Sequence, residues 1–84
     1  MFKGIMEAID KYNSVFRRAL GLSDSEPLES LAYQGHQKWD SVGHMTLVAA
    51  LEDEFAVALD LDDVIDFENY AVGKEILVRY GISF

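Results

Sequence analysis

Apolar residues recur at three- and four-residue steps near the start of the chain, which is the period of one face of an α-helix. The stripe consists of Phe2, Ile5, Met6, Ile9, Tyr12, Phe16, Ala19 and Leu20. It predicts a first helix over residues 3–20. Gly21 is the expected C-terminal stop, and Arg17 and Arg18 lie near the negative end of the helix dipole.

No helical period continues through residues 22–39, where polar residues, Pro27 and Gly35 interrupt the pattern. We expect a long loop here, with room for one short helical turn near residues 28–31. Loops of this length in small domains are usually functional or disordered. The apolar residues expected to hold this one against a core are Leu22, Leu28, Leu31, Tyr33 and Trp39.

Capping residues mark the starts of three further helices. These helices are predicted over residues 40–55, 61–66 and 70–80, with Asp40, Asp60 and Asn69 as N-caps and Gly81 as the final stop. No segment alternates apolar and polar residues as a strand does. The chain is therefore predicted to be all-α, a single domain over residues 1–84. Its expected form is a four-helix bundle with three longer helices, a short third helix and a long loop between helices 1 and 2.

The second helix carries two apolar stripes on opposite sides. Leu47, Val48, Leu51 and Phe55 form one stripe, and Val42, Met45 and Ala49 form the other. One stripe suffices for the core of a small bundle. The other either packs as well, if the helix is central, or lies exposed as a docking surface. In the second case Asp40, Glu52 and Asp53 complete the surface with acidic groups.

The negative charge of the chain is concentrated in one segment. Residues 40–68 contain nine Asp and Glu and no Lys or Arg, whereas the remainder has six acids and seven bases, within a formal net charge of −8. This balance argues against nucleic-acid binding, which depends on cationic groups, and against an anionic membrane surface. A basic protein partner would relieve the self-repulsion of the acidic segment.

Length and composition exclude several classes of protein. With 84 residues, the chain is too short for a large cleft enzyme. It contains no Cys, so disulfides, thiolate metal sites and cysteine nucleophiles are excluded. Glu7 and Asp10 interrupt any N-terminal signal peptide, and no run approaches the roughly 20 apolar residues of a membrane span. We therefore expect a cytoplasmic protein without membrane insertion.

The spacing of the acidic and histidine residues does not match a known metal-binding pattern. The aspartates at 60, 62 and 63 suggest calcium, but Ile65 and Ala71 occupy the positions where an EF-hand loop needs Gly and Glu. His36 and His44 are eight residues apart, too far for a metal pair on one helical turn. We therefore assign no metal site.

Two residues near Ser41 have alternative interpretations. A hydrolase could use Ser41 and His44 with an aspartate, but nothing implies an oxyanion hole, and His44 is better explained as a partly buried, hydrogen-bonded residue. Trp39 is expected to anchor the loop over the second helix, and direct contact with a bound group is the alternative.

The run from Asp40 to Phe55, beginning Asp-Ser-Val-Gly-His-Met, resembles the Asp-Ser-Leu motif and second helix of the acyl carrier protein family. The resemblance extends over roughly residues 5–80. It implies that Ser41 receives 4′-phosphopantetheine from coenzyme A through a phosphopantetheinyl transferase. The chain would then be a monomeric carrier and not an enzyme. An acyl- or aminoacyl-loading ligase and downstream acyl-processing enzymes would be its other partners.

The chain departs from the family pattern near Ser41. Val42 replaces the usual Leu, Gly43 and Thr46 stand where acids are frequent, and Lys38-Trp39 replaces a small Gly-Ala pair. The Trp-Asp-Ser-x-Gly-His pattern of residues 39–44 looks more like stand-alone carriers of specialised biosynthesis than the carrier of fatty-acid synthesis. The alternative function is a small acidic helical interaction module without a prosthetic group, using the same face of the second helix.

Overall fold

A computed structural model describes residues 7–84. Its helices are α1 (Ala8–Leu20), α2 (Ser41–Phe55), α3 (Leu61–Asp66) and α4 (Tyr70–Arg79). The all-α fold, the short third helix and the long loop between α1 and α2 are thereby confirmed for this part of the chain. None of these four helices is long and apolar enough to cross a membrane.

Helix α1 begins later than the sequence predicts. Glu7 has an extended backbone (φ −68°, ψ 156°), so α1 begins at Ala8 and the prediction of one continuous helix over residues 3–20 is wrong at Glu7. Residues 3–6 of the predicted helix lie outside the described residues. An apolar stripe does not mark the residue at which the backbone becomes helical, which explains the error. The stripe residues Phe2, Ile5 and Met6 lie outside the described residues. At the other end, Gly21 (φ +66°) stops the helix as predicted.

The predicted N-caps differ in what their side chains do. Asp40 accepts a hydrogen bond from the N–H of Gly43, and Asn69 accepts one from the N–H of Val72, both at 2.8 Å. Asp60 occupies the N-cap position of α3, but its side chain makes no capping bond. Helices α2 and α4 therefore have firmly fixed starts, which matters for α2 because the candidate serine is its first residue.

The largest fully buried side chains of the core are aromatic. Tyr12 and Phe16 of α1 are buried, and the Tyr12 hydroxyl donates to the carbonyl of Tyr70 at 2.6 Å. Burial raises the pKa of Tyr12 far above its ordinary value. Gly73 lets α4 approach α1 closely, because a Cβ there would lie 2.2 Å from the Tyr12 hydroxyl and 2.3 Å from a ring carbon of Phe67.

The long loop is packed on the helices as its apolar residues predict. Leu28, Leu31 and Trp39 are buried, and residues 28–31 form a hydrogen-bonded turn instead of a helix. The N–H of Tyr33 donates to the Glu68 carbonyl at 2.8 Å, which ties the loop to the α3–α4 connection. The loop thereby brings Tyr33 and Trp39 to the start of α2.

Candidate functional site

Ser41 is the first residue of α2, and its side chain is exposed. The preceding Asp40 supplies both capping groups of this end: its carboxylate accepts from Gly43 N–H and its carbonyl accepts from His44 N–H, each at 2.8 Å. The cap of the helix is therefore Asp40 and not the Ser41 hydroxyl. In many helices a serine at the start is itself the capping residue. The structure presents the Ser41 hydroxyl to solvent at the positive end of a 15-residue helix.

Tyr33 is the side chain that contacts Ser41. Its hydroxyl oxygen lies 3.1 Å from Ser41 Oγ, within hydrogen-bond distance. The tyrosine is held in place because its backbone bonds to Glu68 and its ring packs at 4.8 Å on the ring of His44. The sequence predicts Tyr33 only as a loop anchor. Its role beside Ser41 was missed because it depends on how the loop folds back.

His44 is buried at 8% exposure, and both of its ring nitrogens are hydrogen-bonded. Nδ1 accepts from the indole N–H of Trp39 at 2.9 Å, so Nε2 carries the proton that it donates to the Val64 carbonyl at 2.8 Å. The prediction of a partly buried, hydrogen-bonded histidine is confirmed. With Nδ1 and Nε2 both engaged elsewhere, His44 is not placed to act as a base for Ser41, as a hydrolase would require.

The second apolar stripe of α2 faces solvent. Val42 is 75% exposed and Met45 59% exposed, and Ala49 is exposed too, so the alternative in which α2 packs on both sides is wrong. Helix α3 adds Leu61 and Ile65, at 74% and 66% exposure, which were not among the residues predicted for this face. Their i, i+4 spacing in α3 is a signal that could have identified them.

A surface cleft opens beside Ser41, between α2 and α3. Its volume is about 330 Å³, and Tyr33, His44, Met45, Leu61, Val64 and Ile65 line it. Tyr33 both lines the cleft and contacts Ser41 Oγ, so one side chain connects the cleft to the candidate attachment atom. A group joined to Ser41 therefore has an apolar surface within immediate reach.

The predicted acidic docking residues differ in their surroundings. Asp40 and Asp53 are exposed, whereas Glu52 is half-buried and its carboxylate accepts a hydrogen bond from the Leu59 N–H at 2.9 Å. Asp53 is accordingly available to a partner, while Glu52 also stabilises the loop that follows α2.

Tertiary folding brings two arginines to the acidic segment. Arg79 of α4 lies 2.6 Å from Asp63, and Arg18 of α1 lies 3.8 Å from Glu54. A hydrogen bond from the Tyr80 hydroxyl, together with Arg79, lowers the pKa of Asp63 below its ordinary value. Part of the self-repulsion inferred from the sequence is therefore relieved within the chain.

No family model, curated protein or solved structure matches this chain. The site can still be compared with the chemistry of 4′-phosphopantetheine. An exposed hydroxyl at a helix N-terminus suits a phosphodiester, because the positive end of the helix dipole favours an anion. The Tyr33 hydroxyl adds a hydrogen-bond donor next to the ester position. Ser41 and its surroundings therefore fit the group.

Proposed function

We propose that this chain is a carrier protein that bears 4′-phosphopantetheine on Ser41 and presents a thioester-bound acyl or aminoacyl group to biosynthetic enzymes. The observation that carries the proposal is the exposed Ser41 hydroxyl at the start of α2, capped independently by Asp40 and adjoining an exposed apolar face. The resemblance of residues 40–55 to acyl carrier proteins supports the same conclusion.

The attachment needs only a nucleophilic hydroxyl from this chain. A bond forms between Ser41 Oγ and the β-phosphorus of coenzyme A, the pyrophosphate P–O bond breaks, and adenosine 3′,5′-bisphosphate leaves. The serine proton passes to a base of the transferase. Tyr33 and the N–H groups at the start of α2 would hold the phosphodiester. The bound group supplies the thiol that a cysteine-free chain lacks.

Partner enzymes would dock on the face formed by Val42, Met45 and Ala49, with acids at either end. The exposed apolar side chains supply contact area, and Asp40 and Asp53 meet Lys or Arg on the partners. The partners are a phosphopantetheinyl transferase, a loading ligase and the downstream acyl-processing enzymes. In this scheme the chain is a substrate of enzymes and is not itself one.

Intact-mass measurement tests the proposal. The purified chain is incubated with coenzyme A and a broad-specificity phosphopantetheinyl transferase, and we expect a gain of one phosphopantetheine group. Ser41→Ala should gain nothing, whereas Ser30→Ala, which alters an exposed serine in the loop, should be modified like the wild type. A wild-type chain that gains no mass would favour the interaction module without a prosthetic group.

A further inference from the structure

A continuous series of aromatic rings fills the space between the Ser41 site and the core. The Tyr33 ring, whose hydroxyl contacts Ser41, lies 4.8 Å from the His44 ring. His44 stacks at 6.1 Å on Trp39, and Trp39 packs edge-on at 5.3 Å against Phe16 of α1. Side chains therefore occupy the route from the attachment serine into the bundle.

Hydrogen bonds hold this series closed. The Trp39 side chain is completely buried, and its indole N–H is bonded to His44, which is bonded in turn to the Val64 carbonyl of α3. Phe67, also completely buried, closes the far side, with ring centroids 6.0 Å from Trp39 and 5.9 Å from His44. A chain entering here would have to break one buried and one partly buried hydrogen bond, which leaves polar groups unpaired at a cost in stability.

We infer, on the basis of the proposed carrier function, that the thioester-bound cargo of this protein stays outside the helical bundle and is a short acyl group. The cost of leaving a chain in water grows with its apolar area, so a carrier that offers no interior suits an acyl group of about two to four carbons. The cleft between α2 and α3 covers one side of such a group without enclosing it.

The test is a chain-length series on the wild-type protein. A phosphopantetheinyl transferase loads Ser41 from acetyl-, butyryl-, octanoyl- and hexadecanoyl-coenzyme A, and intact mass confirms each product. Three properties are then measured: the melting temperature, the NMR signal of the indole N–H, and retention on a hydrophobic column. Trp39 is the single tryptophan of the chain, so the indole signal is unambiguous.

We expect the melting temperature to stay within about 1 °C across the series, since a cargo outside the fold does not stabilise it. The indole signal should stay in place, and column retention should rise with every added methylene. A melting temperature that climbs by several degrees with chain length, with a displaced indole signal and constant retention, would overturn the inference. Failure of the transferase to load Ser41 would instead contradict the carrier function.

In a variant with an opened interior, the melting temperature is expected to depend on the length of the acyl group. Trp39→Leu removes the indole and leaves space next to His44, so octanoyl loading should raise the melting temperature of this variant and leave that of the wild type unchanged. If the variant does not fold, the wild-type series decides by itself.

Discussion

The indole N–H of Trp39 donates to Nδ1 of His44 over 2.9 Å and thereby fixes the tautomer in which His44 Nε2 donates to Val64. One residue of α2 thus connects the long loop to α3, the only described helix without a buried residue. Because α3 has little core contact of its own, this connection is expected to contribute substantially to its position beside α2.

Removing the His44 side chain should therefore destabilise the fold. His44→Ala leaves the buried Trp39 N–H without an acceptor and creates a small cavity, so we expect a loss of about 2–4 kcal/mol in the free energy of unfolding. Urea denaturation followed by Trp39 fluorescence and circular dichroism measures it. His36→Ala is the matched control: it removes a half-buried pair with Glu26 and should cost about 1 kcal/mol or less. Equal losses in both variants would contradict the assigned role of His44.

Tyr33→Phe should slow modification of Ser41 without unfolding the chain. The variant keeps the ring that packs on His44 and removes only the hydroxyl that contacts Ser41 Oγ. Since a single exposed hydrogen bond is involved, we expect kcat/KM of the transferase for this carrier to fall about two- to tenfold. A phosphorus NMR shift that differs between the two modified proteins would show that the hydroxyl contacts the phosphodiester. An unchanged kcat/KM would exclude a role of the Tyr33 hydroxyl in the modification of Ser41. An identical phosphorus shift would exclude its contact with the phosphodiester.

Reversing the charge of Asp53 should weaken docking of basic partners. Asp53→Lys alters an exposed group at the acidic end of the docking face, and it avoids Glu52, whose carboxylate also binds the Leu59 N–H. We expect modification of Ser41 to slow on the order of three- to tenfold at low ionic strength and to recover as salt is added. Glu75→Lys makes the same charge change on an exposed residue of α4 and serves as the control. A similar slowing in both variants would indicate a general charge effect and not a local contact.

Acidification should weaken the link between α3 and α4. The pKa of Asp63 is lowered by the Tyr80 hydroxyl and by Arg79, so its ionised form stabilises the folded state. That contribution is complete above the ordinary value of 3.8 and is lost as the pH falls through the lower pKa of the folded protein. Asp63→Asn should therefore have a lower melting temperature than the wild type at neutral pH, and this difference should shrink as the pH falls below 3.8 and through the lower pKa of the folded protein.

A control for this titration lies next to Asp63 in α3. Asp62→Asn removes one negative charge from an exposed position of the same helix without touching the Tyr80 and Arg79 contacts. A difference between wild type and Asp63→Asn that persists unchanged at low pH would show that Asp63 stabilises the fold by another route.

The sequence by itself determined the positions of the helices and their N-caps, which depend on residues within one or two helical turns of each other. Apolar spacing located the four helices and divided the apolar residues of α2 into two stripes, and Asp40 and Asn69 cap the helices they were predicted to cap. Which stripe lies exposed was decided by the structure. The sequence also identified Ser41 as the candidate site. The helix and capping predictions succeed because helix period and capping depend on contacts between residues three or four positions apart. The assignment of Ser41 as the attachment site stays a prediction.

Only the tertiary structure decided which distant residues contact Ser41, His44 and Asp63. The Tyr33 contact spans 8 positions, the His44–Val64 bond 20 and the Tyr80–Asp63 bond 17. None of these pairs has a periodic signature, because each forms where the long loop or a later helix packs back on α2 or α3. The same packing fills the interior behind the serine with Trp39, which the sequence could place in the core but not across the route from Ser41.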